Sequence, residues 1–339
     1  MTGRYRDAGV DLDAAETAKQ RIAASIRSTR TDLARGLVGA FGGMLRLPAD
    51  IPDPVLVMST DGVGTKVLVA IEAGIHDTVG EDLVNHCVND ILVHGARPLA
   101  FLDYVAVAEM DVTTVAGLVE GVARGCRLHR MTLVGGETAQ LPDLYHPGHY
   151  DLAGTIVGVV SESAALHGDR VAPGDVLVGY ASSGLHTNGY TLARRIVFGD
   201  LALDVGAHVE ALGTTVGDAL LAVHRSYWSA LYPVLDQVHA LAHVTGGGIP
   251  GNLSRSLPDR CGATVRSGSW PVPPVFRWLE EAGGVTPDEM DRVFNMGIGM
   301  IAVAPGGAVP ALEAAARAAG VETWIIGDVG SGDGVRVLR

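Results

Sequence analysis

The chain has 339 residues, of which 47% are hydrophobic and 19% charged, and carries a formal net charge of −13. That balance excludes a disordered chain, and the negative charge argues against non-specific nucleic-acid binding. No uncharged apolar run approaches the roughly 18 residues needed to cross a bilayer, and the length predicts two domains, each able to bury its own core.

Cys87, Cys126 and Cys261 are too far apart in sequence for a C-x-x-C pair, so no disulfide framework or structural zinc is expected. Arg4, Arg6 and Asp7 have no apolar run behind them, which argues against a signal peptide and for a cytoplasmic protein. Lysine occurs twice, at Lys19 and Lys66.

In chain order, residues 1–12 read as irregular and 13–30 as a helix, followed by the glycine-rich stretch Gly36–Gly43. Val55–Ser59 predicts a strand that runs into Asp61-Gly62-Val63-Gly64-Thr65-Lys66. There, glycines let backbone approach a phosphate, Lys66 offers a positive charge and Asp61 a ligand for Mg2+; a tight turn after a strand explains the segment equally well. It is not a Walker A loop, whose pattern is absent from the chain.

Residues 78–94 give the clearest helical period. Leu83, Val84, Cys87, Val88, Ile91 and Leu92 share one side, and Asp82, His86, Asn89 and Asp90 share the other. Asp82, Asn89 and Asp90 could ligate a hard cation, although taken alone a solvated helix face is the simpler account. Gly95 caps the helix and Pro98 follows. Leu99–Ala108 predicts a strand with one buried acid, Asp103; 112–129 predicts a helix, and Met131–Val134 and Thr155–Val160 predict strands. Gly135-Gly136-Glu137-Thr138 reads as a glycine turn carrying a carboxylate. Asp61, Asp90 and Glu137 in one half of the chain suggest a shared metal site.

The polar stretch around 165–175 predicts a domain boundary near residue 168, giving domains of 1–168 and 169–339. Beyond it, strands are expected at Val176–Tyr180, Gly262–Arg266, Gly299–Ala304 and Thr323–Asp328, and helices at 189–198, 217–238 and 306–319. Thr286-Pro287-Asp288-Glu289 opens a further helix. The alternation favours mixed α/β layers. Ser182–Gly189, after a strand and before a helix, suits an anion or a plain N-capping loop. His243-Val244-Thr245-Gly246-Gly247-Gly248 suits a phosphate-cradling or structural loop. The embedded G-x-G-x-x-G is no dinucleotide fingerprint, because Pro250 stands where the helix should already run.

Together, and in this order, the segments resemble the aminoimidazole ribonucleotide synthetase family (phosphoribosylformylglycinamidine cyclo-ligases). The resemblance begins at Tyr5-Arg6-Asp7-Ala8-Gly9-Val10-Asp11 and includes Asp61–Lys66, the D-x4-G-A-x-P signature as Asp90, Gly95, Ala96 and Pro98, and Gly135–Ala139. It continues through His186-Thr187-Asn188-Gly189, His243–Gly248 and Phe294–Met300. It implies a two-domain α/β fold whose N-terminal sheet domain pairs in a homodimer. It also implies ATP-dependent, Mg2+-dependent ring closure of a small ribonucleotide substrate, with no nucleic-acid or membrane partner. The implied site has Asp61, Asp90 and Glu137 on the metal and Lys66, Asp90 and His186 in catalysis. ATP would lie on Asp61, Gly62, Gly64, Thr65, Lys66, Asn89, Gly135, Gly136, Glu137 and Thr138. Substrate phosphate would lie on His186, Asn188, Gly189, Thr245, Gly246 and Gly247.

The chain departs from the family pattern at Gln140-Leu141, at Leu185 and Thr187 beside His186, and at Val223-His224-Arg225-Ser226-Tyr227, where the family usually has Pro-Thr-Arg-x-Tyr. A diverged paralogue acting on a related amide, or a non-catalytic nucleotide-binding subunit, are the alternatives.

Overall fold

The computed structural model describes residues 9–36, 39 and 41–339; residues 1–8 of the stretch expected to be irregular, and part of the glycine-rich stretch, lie outside the described residues. The Asp11 carboxylate accepts from the N–H groups of Asp13 and Ala14 and so opens α1 (Leu12–Ser28). A short hairpin, β1 (Ala34–Arg35) with β2 (Met44–Leu45), precedes the first sheet.

That sheet is built from β3 (Pro54–Gly62), β4 (Arg97–Val107), β5 (Thr132–Gln140) and β6 (Tyr150–Ser161) in the order β3-β6-β4-β5, with only β4 and β5 parallel. α2 (Lys66–Ala73) and α3 (Asp77–Leu92) follow β3, and α4 (Val112–Leu128) follows β4. α3 and α4 press together where side chains vanish: a Cβ on Gly121 would strike the carbonyl of Asp77, and one on Gly80 the carbonyl of Leu118. Leu83, Phe101, Val105, Leu118, Leu152 and Ile156 fill the space between these helices and the sheet with no solvent exposure. On the open side Leu56, Met58, Leu102 and Tyr104 remain exposed.

The second sheet has six strands in the order β10-β12-β7-β13-β11-β14. Its elements in chain order start with β7 (Val176–Ala181) and α5 (Tyr190–Arg194), which continues as a π-helical turn over 195–200. The hairpin β8 (His208–Val209) and β9 (Thr214–Thr215) leads to α6 (Val216–Leu221) and α7 (Trp228–Leu231). Then come β10 (Ala240–His243), α8 (Gly248–Leu253), β11 (Cys261–Arg266), α9 (Pro274–Gly283), α10 (Pro287–Val293), β12 (Ile298–Ala304), α11 (Val309–Ala318), β13 (Thr323–Ser331) and β14 (Val335–Leu338). Only β11 and β14 run parallel. The Thr286 hydroxyl accepts from the Glu289 N–H and starts α10 at the predicted place. The two sheets draw on residues 54–161 and 176–338, yet one apolar core runs from α3 through Leu185 and Tyr190 to Phe276 and Phe294.

Four expectations from the sequence are overturned. Gly135–Thr138 is no turn: it lies inside β5, paired with Leu102–Val105 of β4, and Gly136 is required because a Cβ would collide with the Asp103 carboxylate. The helix expected over 217–238 is broken. Residues 222–227 are irregular, between α6 and α7, because side chains of α3 capture their backbone groups. Pro250 does not forbid a helix: α8 runs through it, with Pro250 in the first turn, where its missing N–H has no intrahelical partner to lose. And the polar side of α3 is not solvated, since Asp82, His86 and Asn89 are all buried.

Burial pushes the Asp103 carboxyl up to about 7. An acid raised in the folded state holds its proton more tightly there than in the unfolded chain. Its stabilising contribution is therefore full below the unfolded value of 3.8 and is lost as pH rises towards 7. Asp103→Asn is expected to be more stable than wild type at pH 8 by about 1–2 kcal/mol, less than the full shift would give because solvent partly reaches the site, and no more stable at pH 4. Thermal melts at the two pH values check this; an equal effect at both would sink it.

Candidate active site

A cleft of about 480 Å³ opens between the edge of the first sheet and β10 of the second, lined among others by Asp61, His86, Asp90, His243, Thr245 and Arg255. Asp61 is delivered by the last turn of β3, and its Oδ1 accepts from the Gly62 N–H. His86 and Asp90 come from α3, four residues apart and so on one face. His243 ends β10.

These side chains form a ring of hydrogen bonds across the two halves of the chain, closed by one longer ion-pair contact between His86 and Asp90. His86 Nε2 lies 2.7 Å from Asp61 Oδ2 and 3.7 Å from Asp90 Oδ2. His86 Nδ1 meets the Thr187 hydroxyl at 2.8 Å, and that hydroxyl lies 3.3 Å from His224 Nδ1. His224 Nε2 is 3.2 Å from His243 Nε2, and His243 Nδ1 closes the ring on Asp90 Oδ1 at 2.8 Å. The Ser59 hydroxyl also donates to Asp90.

Burial alone would press the His86 imidazole down; the Asp61 and Asp90 carboxylates outweigh it and hold the ring above the ordinary histidine value. Burial would likewise raise Asp61 and Asp90. Pairing with His86 for Asp61, and chiefly with His243 for Asp90, keeps both below the usual carboxylate range. The cleft thus presents two ionised carboxylates with an imidazole between them that they bias towards its charged form. Burial lowers His243 despite Asp90, and lowers His224 and His186 well below the ordinary value, so these rings are neutral.

Of the residues singled out in the sequence, Asp61 and Asp90 come together. Glu137 does not join them. It sits on β5, in register with Tyr104 and Ala153, at the far edge of the sheet from Gly62, and three strand spacings amount to about 14 Å. Gly135, Gly136 and Thr138 share that remote edge. Gly64, with φ of 68°, turns the chain out of β3, and the Thr65 hydroxyl bonds that of Thr191.

Lys66 is fully buried, away from the cleft. Its Nζ lies 2.8 Å from Asp82 Oδ2 and donates to the carbonyls of His186 and Ala222. Burial pushes Lys66 down and Asp82 up, and each opposes the shift of the other. Asp82 also accepts from the His224 N–H. Asn89 is no open ligand either: its side chain donates to the Arg225 carbonyl, accepts from the Tyr227 N–H and lies 3.1 Å from His224 Nε2.

His186 is 1% exposed, stacked on His224 with ring centroids 4.0 Å apart, and its Nε2 accepts from the Ser183 N–H. Asn188 Oδ1 lies 3.3 Å from where a Cβ of Gly246 would stand, so the two glycine loops touch. Thr245 lines the cleft; Gly189 and Gly247, with φ of 80° and 97°, are the left-handed residues that start α5 and α8. His86 and His224 were given no role from sequence. The His86/Asp90 spacing on one helix was the available signal for the first, whereas His224 stood in a segment expected to be helical and was marked as a departure from the family pattern without a role.

The family described as AIR synthase related protein matches twice, its N-terminal domain over residues 43–160 and its C-terminal domain over 172–338. A protein of Sorangium cellulosum named phosphoribosylformylglycinamidine cyclo-ligase is 48% identical over 334 residues, 97% of this chain and 96% of that protein. Among solved structures, thiamine-monophosphate kinase from Stenotrophomonas maltophilia superposes with a TM-score of 0.68 at 21% identity, over 95% of each chain. The hydrogenase maturation protein HypE in complex with ATP superposes with a TM-score of 0.62 at 21% identity, over 92% of this chain and 86% of that one. No helix among the described residues is long and apolar enough to cross a membrane. With both domain descriptions matched in order and a near full-length relative at this identity, the chain belongs to the AIR synthase related protein family.

Proposed function

We propose that the chain is an ATP-dependent cyclo-ligase that closes formylglycinamidine ribonucleotide to aminoimidazole ribonucleotide, releasing ADP and phosphate. The observation that carries this is the 48% identity, over 97% of the chain, to a protein bearing the cyclo-ligase name. In this reaction the formyl-amide oxygen takes the γ-phosphoryl group of ATP, the amidine nitrogen attacks the activated carbon, and phosphate leaves. ATP use draws support from the shared fold of an ATP-bound neighbour.

The donor chemistry of the cleft suits Mg2+. Asp61 and Asp90 both lie near one point, marked by His86 Nε2, and two carboxylates completed by substrate phosphates are a usual set for this ion. Bound there, Mg2+ would neutralise phosphate charge. Glu137 is left out of this set. Lys66 takes the part of a positioning residue, holding the carbonyls of His186 and Ala222, the latter beside the His224 segment. Thr245 and Arg255 face the cleft and are the nearest candidates for a substrate phosphate, with Gly246 and Gly247 behind them. His186, buried and neutral, shapes the His224 side of the ring and does not reach the cleft. The exposed Leu56, Met58, Leu102 and Tyr104 on the open sheet face fit a homodimer contact. A soluble, cytoplasmic setting goes with this chemistry.

Phosphate release with Mg-ATP, measured with and without formylglycinamidine ribonucleotide alongside an assay for aminoimidazole ribonucleotide, tests the proposal. Both products are expected, and only with substrate. ATP binding without either product would overturn the substrate and leave the family standing.

A further inference from the structure

Three imidazoles in the ring belong to different parts of the fold: His86 to α3, His224 to the irregular segment between α6 and α7, and His243 to the end of β10. Their ring centroids form a near-equilateral triangle with sides of 4.9, 5.1 and 5.2 Å. One ring nitrogen from each lies within 4.8 Å of those of the other two. The Nδ1 atoms are engaged elsewhere, those of His86 and His224 on the Thr187 hydroxyl and that of His243 on Asp90. That leaves the three Nε2 atoms as the candidate ligands, of which that of His86 now pairs with Asp61 and that of His224 lies beside the Asn89 amide. A metal-binding histidine is held in this way, with its second nitrogen on a hydroxyl, carbonyl or carboxylate that fixes the tautomer.

The 3.2 Å between His224 Nε2 and His243 Nε2 carries the case furthest. Two nitrogens bound tetrahedrally to one ion at about 2.0–2.1 Å stand about 3.3–3.4 Å apart. With His243 Nδ1 donating to Asp90, its Nε2 turns a lone pair towards His224 Nε2, and an ion between the two nitrogens would take the place of the single proton they can share. Asp61 and Asp90 add two negative charges at the same place, which a divalent ion would balance.

We propose that His86, His224 and His243 bind one first-row divalent ion of the zinc class, with Asp61 the nearest carboxylate for the fourth position. Imidazole nitrogen suits zinc, cobalt, nickel and copper and disfavours Mg2+, so this set selects a different class of ion from the Asp61–Asp90 pair discussed for nucleotide, although the two share Asp61. The cleft supplies the entry path, since His86, His243, Asp61 and Asp90 all line it. Three adjustments accompany loading. His86 gives up the Nε2 proton it shares with Asp61. The His86 ring shifts to close the set. The Asn89 amide gives up its approach to His224 while keeping the Arg225 carbonyl and Tyr227 N–H. An ion held this way would pin α3 to β10 and to the 222–227 segment, the seam between the two halves of the chain. The inference stands independently of the cyclo-ligase reading.

The test uses untagged full-length protein stripped with chelator, titrated with Co2+ without nucleotide. One Co2+ per chain is expected, with the visible absorption bands of nitrogen-rich low-coordinate Co2+, a raised melting temperature, and no displacement by millimolar Mg2+. His224→Thr and His86→Gln are each expected to weaken binding by about 10–100-fold. Absence of the bands in the wild-type protein would overturn the proposal, whatever the variants do. So would displacement by Mg2+ at comparable concentration, or wild-type affinity in both variants.

Discussion

Lys66→Met is expected to cost about 3–5 kcal/mol of stability, read as a drop of several degrees in melting temperature. Lys66 and Asp82 have no solvent-exposed side-chain surface and meet at 2.8 Å. Removing the ammonium leaves an unpaired carboxylate in the interior and strips the donor from the carbonyls of His186 and Ala222. Replacing the pair together should restore most of the loss: Lys66→Met with Asp82→Asn removes both charges and keeps an oxygen to accept the His224 N–H. Turnover should fall in the single variant as well, because the freed carbonyls flank the loop bearing Thr187 and the segment bearing His224. A single variant that melts within a degree of wild type yet has lost turnover would return Lys66 to direct contact with phosphate and end the positioning account.

The second large effect is expected on catalysis with little effect on folding. Asp90→Asn should lower turnover by about 100-fold or more, roughly 2.7 kcal/mol of barrier. The side chain faces the cleft, keeps one oxygen for His243 Nδ1, turns an amide N–H to the Ser59 hydroxyl, which can accept it, and loses the charge that pairs with His86 and would meet a cation. Its melting temperature should stay within a few degrees of wild type. The His86 imidazole, deprived of one of its two carboxylates, should titrate lower, which NMR can follow. Wild-type turnover in this variant would remove Asp90 from the reacting centre.

Much of the fold was legible because local rules and tertiary structure agree. The Thr286-Pro287-Asp288-Glu289 helix start, the 78–94 helix, the strand entering Asp61 and the mixed α/β layering follow from capping chemistry and hydrophobic period. Asp61 and Asp90 were recognisable as candidate ligands from residue type and placement at a strand end and on one helix face. The family was legible from the order of its motifs.

Other features were decided only by the packed structure. The polar side of the 78–94 helix reads as solvated by periodicity. In the folded chain Asp82, Asn85 and Asn89 each bind backbone of residues 224–227, a contact between groups about 140 positions apart. The same bonds break the helix expected over 217–238, since backbone groups satisfied by α3 no longer need intrahelical partners. Lys66 looks like a phosphate ligand beside its glycines until Asp82 is brought against it. Glu137 looks like a third carboxylate until strand order places it at the opposite edge of the sheet. Sequence alone picked out Asp61 and Asp90 as residues that could do chemistry, and the strand end and helix that carry them. Which of them share a site was decided by long-range pairing: sheet order, the closure of α3 onto the 222–227 segment, and the ring joining Asp61, His86, Thr187, His224, His243 and Asp90, none of which leaves a local periodic signal.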